Sequence, residues 1–326
     1  MSVESDIGSS IPGDAPSSRD RRIAESDFPN EIDHLRALVR ASGVAVAEVA
    51  LPTDRDVLLG RMRIHYLDWG GAAKRAIVFL HGGGLNAHTW DVICLALRPR
   101  FRCYALDLRG HGDSEWSPNL RYGLDEYARD LAAFIEERSL EHVVLVGSSL
   151  GGLVSLRYAS DHAFKLALLV IVDIGPTLLE DGTIRIRQFM SQAVESQTFD
   201  AFVAQAAAFN PKRDLTLLRS NLFHNLRQWP DGSWAWKYDR RHRGRWPRAV
   251  EAQRLQLWEG VGRIDCDTLV LRGGRSDVFS ALNAEELSRS LPNGSWLEVP
   301  EAGHTIHADN PAGFLAGIDP LLLGLA

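Results

Sequence analysis

From Val44 onward, short runs of apolar and β-branched residues alternate with stretches whose apolar positions recur at helical spacing. The runs AEVALP, MRIHYLDW, AIVFLHG, FRCYALDL, HVVLVGS, LALLVIVDIG, TLVLRGG and SWLEVPEAG each predict a strand. The first two suit an antiparallel hairpin. The later ones are apolar on both faces, as strands covered on both sides must be, and intervening segments such as LDEYARDLAAFIEERSL predict amphipathic covering helices. The pattern predicts an α/β fold, a doubly wound, mostly parallel sheet of eight strands.

One interval breaks the rhythm. Between the strand ending near Ile174 and the one starting near Thr268, the chain shows helical periodicity and no clear parallel strand. This predicts a mainly helical cap over 176–262, inserted into a core made of 31–175 and 263–326. Within it, TIRIRQFMSQAVESQTFDAFVAQAAAF suits helices, whereas WPDGSWAWKYD carries a turn signal and then aromatics at Trp234, Trp236 and Tyr238 in period two, which predicts an extended segment. Residues 31–42 have apolar positions at helical spacing and predict a helix on the domain surface. Residues 1–30 are rich in Ser, Pro, Asp and Arg and are expected to be a disordered tail.

Composition narrows the possible partners. A net charge of −6 argues against general polyanion binding, so nucleic acid is not an expected partner. Cys94, Cys103 and Cys266 each sit in or beside an apolar run and read as buried thiols of a reducing, cytoplasmic compartment. No apolar stretch follows a basic start, and none approaches the ~18 residues of a membrane span, so neither export nor membrane insertion is expected.

The stretch EHVVLVGSSLGGLVSLRYAS passes from an apolar strand through small residues into a helix. Gly147-Ser148-Ser149-Leu150-Gly151 fits the G-x-S-x-G elbow, in which a strand turns so sharply into a helix that side chains at the flanking positions would collide. Ser149 is the exposed serine, and the amide of Leu150 at the helix start points where negative charge is stabilised. Small residues that merely allow close packing would look alike in isolation. The strand before and the helix after are the context that the functional motif requires.

Four further segments fall in order around this one: LHGGGLNAHTW, DLRGHGDS, GGRSDV and PEAGHTIHADNP. From about Ala47 to its C-terminus the chain resembles capped α/β-hydrolases of the esterase and epoxide-hydrolase-like branch. The resemblance implies Ser149 as nucleophile, His304 as base and the amides of Gly83 and Leu150 as the oxyanion hole. It implies Asp277, closing LRGGRSD, as the acid, with Asp173 in IVDIG as the rival, because some members take the acid from that earlier strand. His307 is the local competitor of His304. His81 and His111 are expected to shape loops, and Asp107 and Asp113 to belong to a structural loop near the site entrance.

Some relatives are excluded, since haloalkane dehalogenases and epoxide hydrolases of this branch carry aspartate where this chain has Ser149. The expected function is a serine hydrolase cleaving a carboxylic ester or lactone of a small hydrophobic substrate. A carbon–carbon bond hydrolase of ring-cleavage products and a non-catalytic ligand receptor on the same scaffold stay open as alternatives. No cofactor and no metal are expected: the lysine and hydroxyl of a P-loop are absent, and no metal-ligand spacing is evident. Trp234 and Trp236 are the candidate substrate contacts in the cap, and Arg240 to Arg245 read as a solvated face. The oligomeric state is open.

Overall fold

The computed structural model describes residues 30–71, 73–192, 198–211, 213–241 and 246–325. The expected tail, apart from Asn30, and Arg243 and Arg245 of the basic run lie outside them. The described residues form ten strands: β1 (Thr53–Leu59), β2 (Met62–Asp68), β3 (Ala76–Leu80), β4 (Arg102–Leu106), β5 (Val143–Ser148), β6 (Leu166–Val172), β7 (Leu226–Gln228), β8 (Trp234–Trp236), β9 (Thr268–Gly273) and β10 (Gly294–Val299). Eight of them make one sheet in the order β1-β2-β4-β3-β5-β6-β9-β10. β2 runs antiparallel to both β1 and β4, and every other neighbouring pair is parallel.

The first strand departs from the expected position. The hairpin is there, but its outer arm is TDRDVLL rather than AEVALP, with Thr53 opposite Asp68 and Leu59 opposite Met62. Most of this edge strand is exposed. An edge strand open to water on both faces needs no apolar alternation, so the polar Asp54, Arg55 and Asp56 conceal it.

The helices are α1 (Glu31–Ser42), α2 (Asp91–Leu97), α3 (Leu124–Glu137), α4 (Leu150–His162), α5 (Glu180–Gln192), α6 (Phe199–Phe209), α7 (Leu215–Asn225), α8 (Trp246–Arg254), α9 (Trp258–Val261), α10 (Ala281–Ser290), α11 (Ile306–Asp309) and α12 (Pro311–Leu323). In β3, Val78 and Leu80 join the core beneath α3, α4 and α10, while Ile77 and Phe79 join the core beneath α1, α2 and α12. Two cores on opposite faces explain why this strand is apolar at every position. Fully burying each such side chain contributes about 1.5–3 kcal/mol.

Helix α1 forms where the spacing predicts it. Asn30 accepts a hydrogen bond from the Asp33 amide at its start, and Gly43 at φ +68° closes it. It does not simply lie on the surface: Leu35 and Leu38 are buried in the core, and His34 reaches Ser220 of α7. Between β6 and β9 the chain builds α5 to α9 and the β7–β8 hairpin, with a small core of their own around Phe202, Leu222, Trp234 and Trp236. Among the described residues, no helix is long and apolar enough to cross a membrane.

Candidate active site

Ser149 sits between β5 and α4 at φ +51° and ψ −118°, a strained backbone for a non-glycine residue. Its neighbours show why the turn needs glycine. A Cβ on Gly147 would lie 2.3 Å from the Gly151 carbonyl oxygen, and one on Gly151 would lie 2.4 Å from the Leu80 carbonyl oxygen. The turn is pinned from both sides, because Ser149 N–H donates to the Val172 carbonyl (3.2 Å) and Gly151 N–H donates to the His81 carbonyl (3.1 Å).

His304 occupies the turn between β10 and α11, and its own segment fixes that turn. Gly303 N–H donates to Asp309 Oδ2 (3.0 Å), and Asn310 Nδ2 donates to the Pro300 carbonyl (2.9 Å). His304 Nε2 lies 3.0 Å from Ser149 Oγ, and His304 Nδ1 lies 2.8 Å from Asp173 Oδ2. Asp173 is completely buried, and it also accepts hydrogen bonds from Gly273 N–H (2.7 Å) and from the Ser276 hydroxyl. A carboxylate accepts, so Nδ1 carries the imidazole proton and Nε2 presents its lone pair to the serine hydroxyl. Serine, imidazole and buried carboxylate in this order can deprotonate a nucleophile and stabilise the resulting imidazolium.

Asp277, expected as the carboxylate partner of His304, is not brought to it. Its carboxylate is 40% exposed and pairs with Arg185 of α5 at 2.8 Å on the rim of the cavity. The physical reason lies in the sheet order. β6 and β9 are neighbours, so the loops leaving both strands approach the histidine turn, and sequence order alone does not distinguish them. The loop of Asp277 still serves the site, because Ser276 and Gly273 hold Asp173. A signal for Asp173 was present: a carboxylate closing the wholly apolar run LALLVIV must be buried and therefore needs partners.

Gly83 lines the cavity beside Ser149, and Leu150, as the first residue of α4, has an N–H with no acceptor within its helix. His81 sets the glycine loop. Its Nε2 accepts from Leu108 N–H (2.9 Å), so Nδ1–H donates to the Gly82 carbonyl (2.7 Å), and burial lowers its pKa and keeps the ring neutral. His111 bonds the Arg109 carbonyl through Nδ1 (3.1 Å), again shaping a loop. His307 is turned away from Ser149, against Thr89 and stacked on Trp90 with ring centres 3.9 Å apart; burial, Arg213 and His304 push its pKa down to about 3.

His65 of β2 adds a buried contact near the site that the sequence does not signal. Asp107 holds the DLRGHGDS loop by accepting from Ala87 N–H (2.7 Å) and Asp113 N–H (2.8 Å), but it also pairs with His65 of β2 at 2.8 Å. Burial alone would lower the His65 pKa, yet Asp107 and Asp54 outweigh it and raise it to about 10. Asp113 in turn binds Lys237 (2.9 Å), joining this loop to the segment after β8.

A cavity of about 670 Å³ opens above Ser149 and His304. Phe189, Met190, Phe209 and Leu218 form an apolar part of its wall, Asn221 and Asn225 with the charged Arg213, Asp214 and Asp309 form a polar part, and Ala41 and Ser42 at the end of α1 reach it. The two candidate tryptophans separate. Trp236 lines the cavity, whereas Trp234 is not among its walls and packs against Phe199 at 5.2 Å between ring centres.

The model of the alpha/beta hydrolase family matches residues 77–317. An esterase of Mycobacterium tuberculosis, Rv0045c, is 32% identical over 260 residues, covering 76% of this chain and 82% of that protein. Its crystal structure superposes with a TM-score of 0.72 at 30% identity over 91% of this chain and 99% of that one. A 3-hydroxybutyrate-oligomer hydrolase of Cupriavidus necator is 28% identical over 78% of this chain and 90% of its own length.

Proposed function

Because this chain belongs to the alpha/beta hydrolase family and is a hydrolase, we propose that it cleaves a carboxylic ester or lactone of a small hydrophobic substrate through an acyl-enzyme on Ser149. The observation that carries this reading is the line of contacts from Ser149 Oγ to His304 Nε2 (3.0 Å) and from His304 Nδ1 to Asp173 (2.8 Å). As Ser149 Oγ bonds to the substrate carbonyl carbon, its proton passes to His304 Nε2, and Asp173 stabilises the imidazolium. The carbonyl oxygen takes the negative charge, and the N–H groups of Gly83 and Leu150 hold it. Each such donor is worth about 3 kcal/mol in the transition state. Collapse expels the alkoxide, which takes the proton from His304. Water then attacks the acyl carbon by the same base and frees the acid and Ser149.

Residues 176–262 act in this reading as a cap whose inner surface selects the acyl or alcohol group. The apolar part of the wall given by Phe189, Met190, Phe209 and Trp236 favours a hydrophobic group, and the similarity to an esterase and to a 3-hydroxybutyrate-oligomer hydrolase supports ester over other bonds. The test is a substrate panel of p-nitrophenyl esters, aryl esters, lactones and a ring-cleavage dienone. Turnover of esters or lactones that disappears in Ser149→Ala supports the reading. Turnover of the dienone alone would move it to carbon–carbon bond hydrolysis.

A further inference from the structure

We propose that His88, Asp91 and His224 form a binding site for a transition-metal ion of the Zn2+ class, separate from the reaction centre, that ties α7 to the core. The chain has 11 histidines, and three of them meet where α1, the turn before α2, and α7 come together. The rings of His88 and His224 stack with centres 3.7 Å apart, and His34 lies 5.4 Å from His224. Asp91 Oδ2 is 3.0 Å from His88 Nδ1. One ligand atom from each of His88, Asp91 and His224 falls within 4.8 Å of the others.

The donor chemistry fits such an ion. Two imidazoles and one carboxylate are ligands that zinc and its first-row neighbours accept, with open positions left for water. His88 and Asp91 are three residues apart on one continuous helical turn, which puts both on one face. Asp91 and His224 are buried and His88 is 12% exposed, so the Asp91 charge would partly neutralise the ion where water is scarce. The other grouping of this kind among the described residues is His65, Asp107 and Asp113, whose atoms also contact Asp54 and Lys237.

Imidazole lone pairs lie in the ring plane. Parallel rings therefore do not both aim at one point, and binding requires His88 or His224 to turn about its Cβ–Cγ bond. The consequence for the fold is a staple. His224 already has its carbonyl tied to the core by Asn86 Nδ2 (2.5 Å), and α7 supplies Leu218, Asn221 and Asn225 to the cavity wall. An ion held from both sides fixes that wall.

The experiment is titration of the full-length, metal-stripped protein with ZnCl2 by calorimetry, and with Co2+ followed by its visible absorption. The expected result is one saturable site, ligand-field bands from bound Co2+, and a melting temperature raised by several degrees in Zn2+. His88→Gln and His224→Gln, checked for native circular dichroism without metal, should each abolish both signals, and Asp91→Asn serves if either fails to fold. His304→Ala should keep them. Absence of saturable binding in the native protein, binding retained in both glutamine variants, or binding lost in His304→Ala alone would each overturn the proposal.

Discussion

His304 Nδ1 lies 2.8 Å from the buried carboxylate of Asp173, while Asp277, four residues beyond Gly273, turns outward to Arg185. Replacing Asp173 by Asn keeps the shape but leaves the imidazole free to hold its proton on the wrong nitrogen. We expect Asp173→Asn to lower kcat by about 10⁴-fold. Asp277→Asn should stay within a few-fold of the parent enzyme. Steady-state kinetics of the two variants on one ester decides between them, and the opposite ranking would return the acid to Asp277.

The same two strand ends show how far the sequence could be read. The meeting of Ser149 and His304 was legible because each sits in a motif whose local geometry dictates its own turn. The carboxylate that meets His304 was not, because it depends on which of two adjacent loops reaches across to the ring, a packing outcome of the neighbouring β6 and β9. The strands with apolar faces on both sides were legible for the converse reason, that burial is written into every position. The edge strand Thr53–Leu59 escaped because water-facing residues carry no such record. His65 escaped because its partner Asp107 lies 42 residues away.

Arg213 and Asp309 make a nearly buried ion pair (2.6 Å), and the second oxygen of Asp309 accepts the Gly303 amide beside His304. Arg213→Ala leaves Asp309 buried without its cation and should destabilise the fold by about 3–5 kcal/mol. Chemical denaturation measures this. A loss below about 1 kcal/mol would show the pair to behave like an exposed one.

Stability should depend on pH through His65 and Asp107. The His65 pKa is raised from 6.5 to about 10, so its contribution is fully present below about 6.5 and is lost as pH rises towards 10. Asp107 is shifted the other way: burial alone would raise its pKa, but the hydrogen bond and charge of His65 outweigh it, so its contribution is present above the ordinary carboxylate range and lost as pH falls below it. Melting temperatures should therefore be highest between about pH 4 and 6.5 as far as this pair is concerned. His65→Gln should flatten the alkaline fall; an unchanged alkaline slope in that variant would remove the pair as its cause.

Trp236 faces the cavity and Trp234 does not. Trp236→Ala should change the ratio of kcat/KM for bulky and small esters, while Trp234→Ala should lower stability by about 3–5 kcal/mol with that ratio preserved. Kinetics on an ester series together with thermal melts separates the two effects. Equal ratios in both variants would show that this wall does not choose the substrate.

Labelling with a fluorophosphonate, followed by peptide mass spectrometry, tests the reaction centre most directly, since the reagent reacts with a serine only when base and carboxylate have made it nucleophilic. We expect a single adduct on Ser149, none in Ser149→Ala, strongly slowed labelling in Asp173→Asn and near-parental labelling in Asp277→Asn. An adduct elsewhere in the chain, or labelling unaffected by Asp173→Asn, would contradict it.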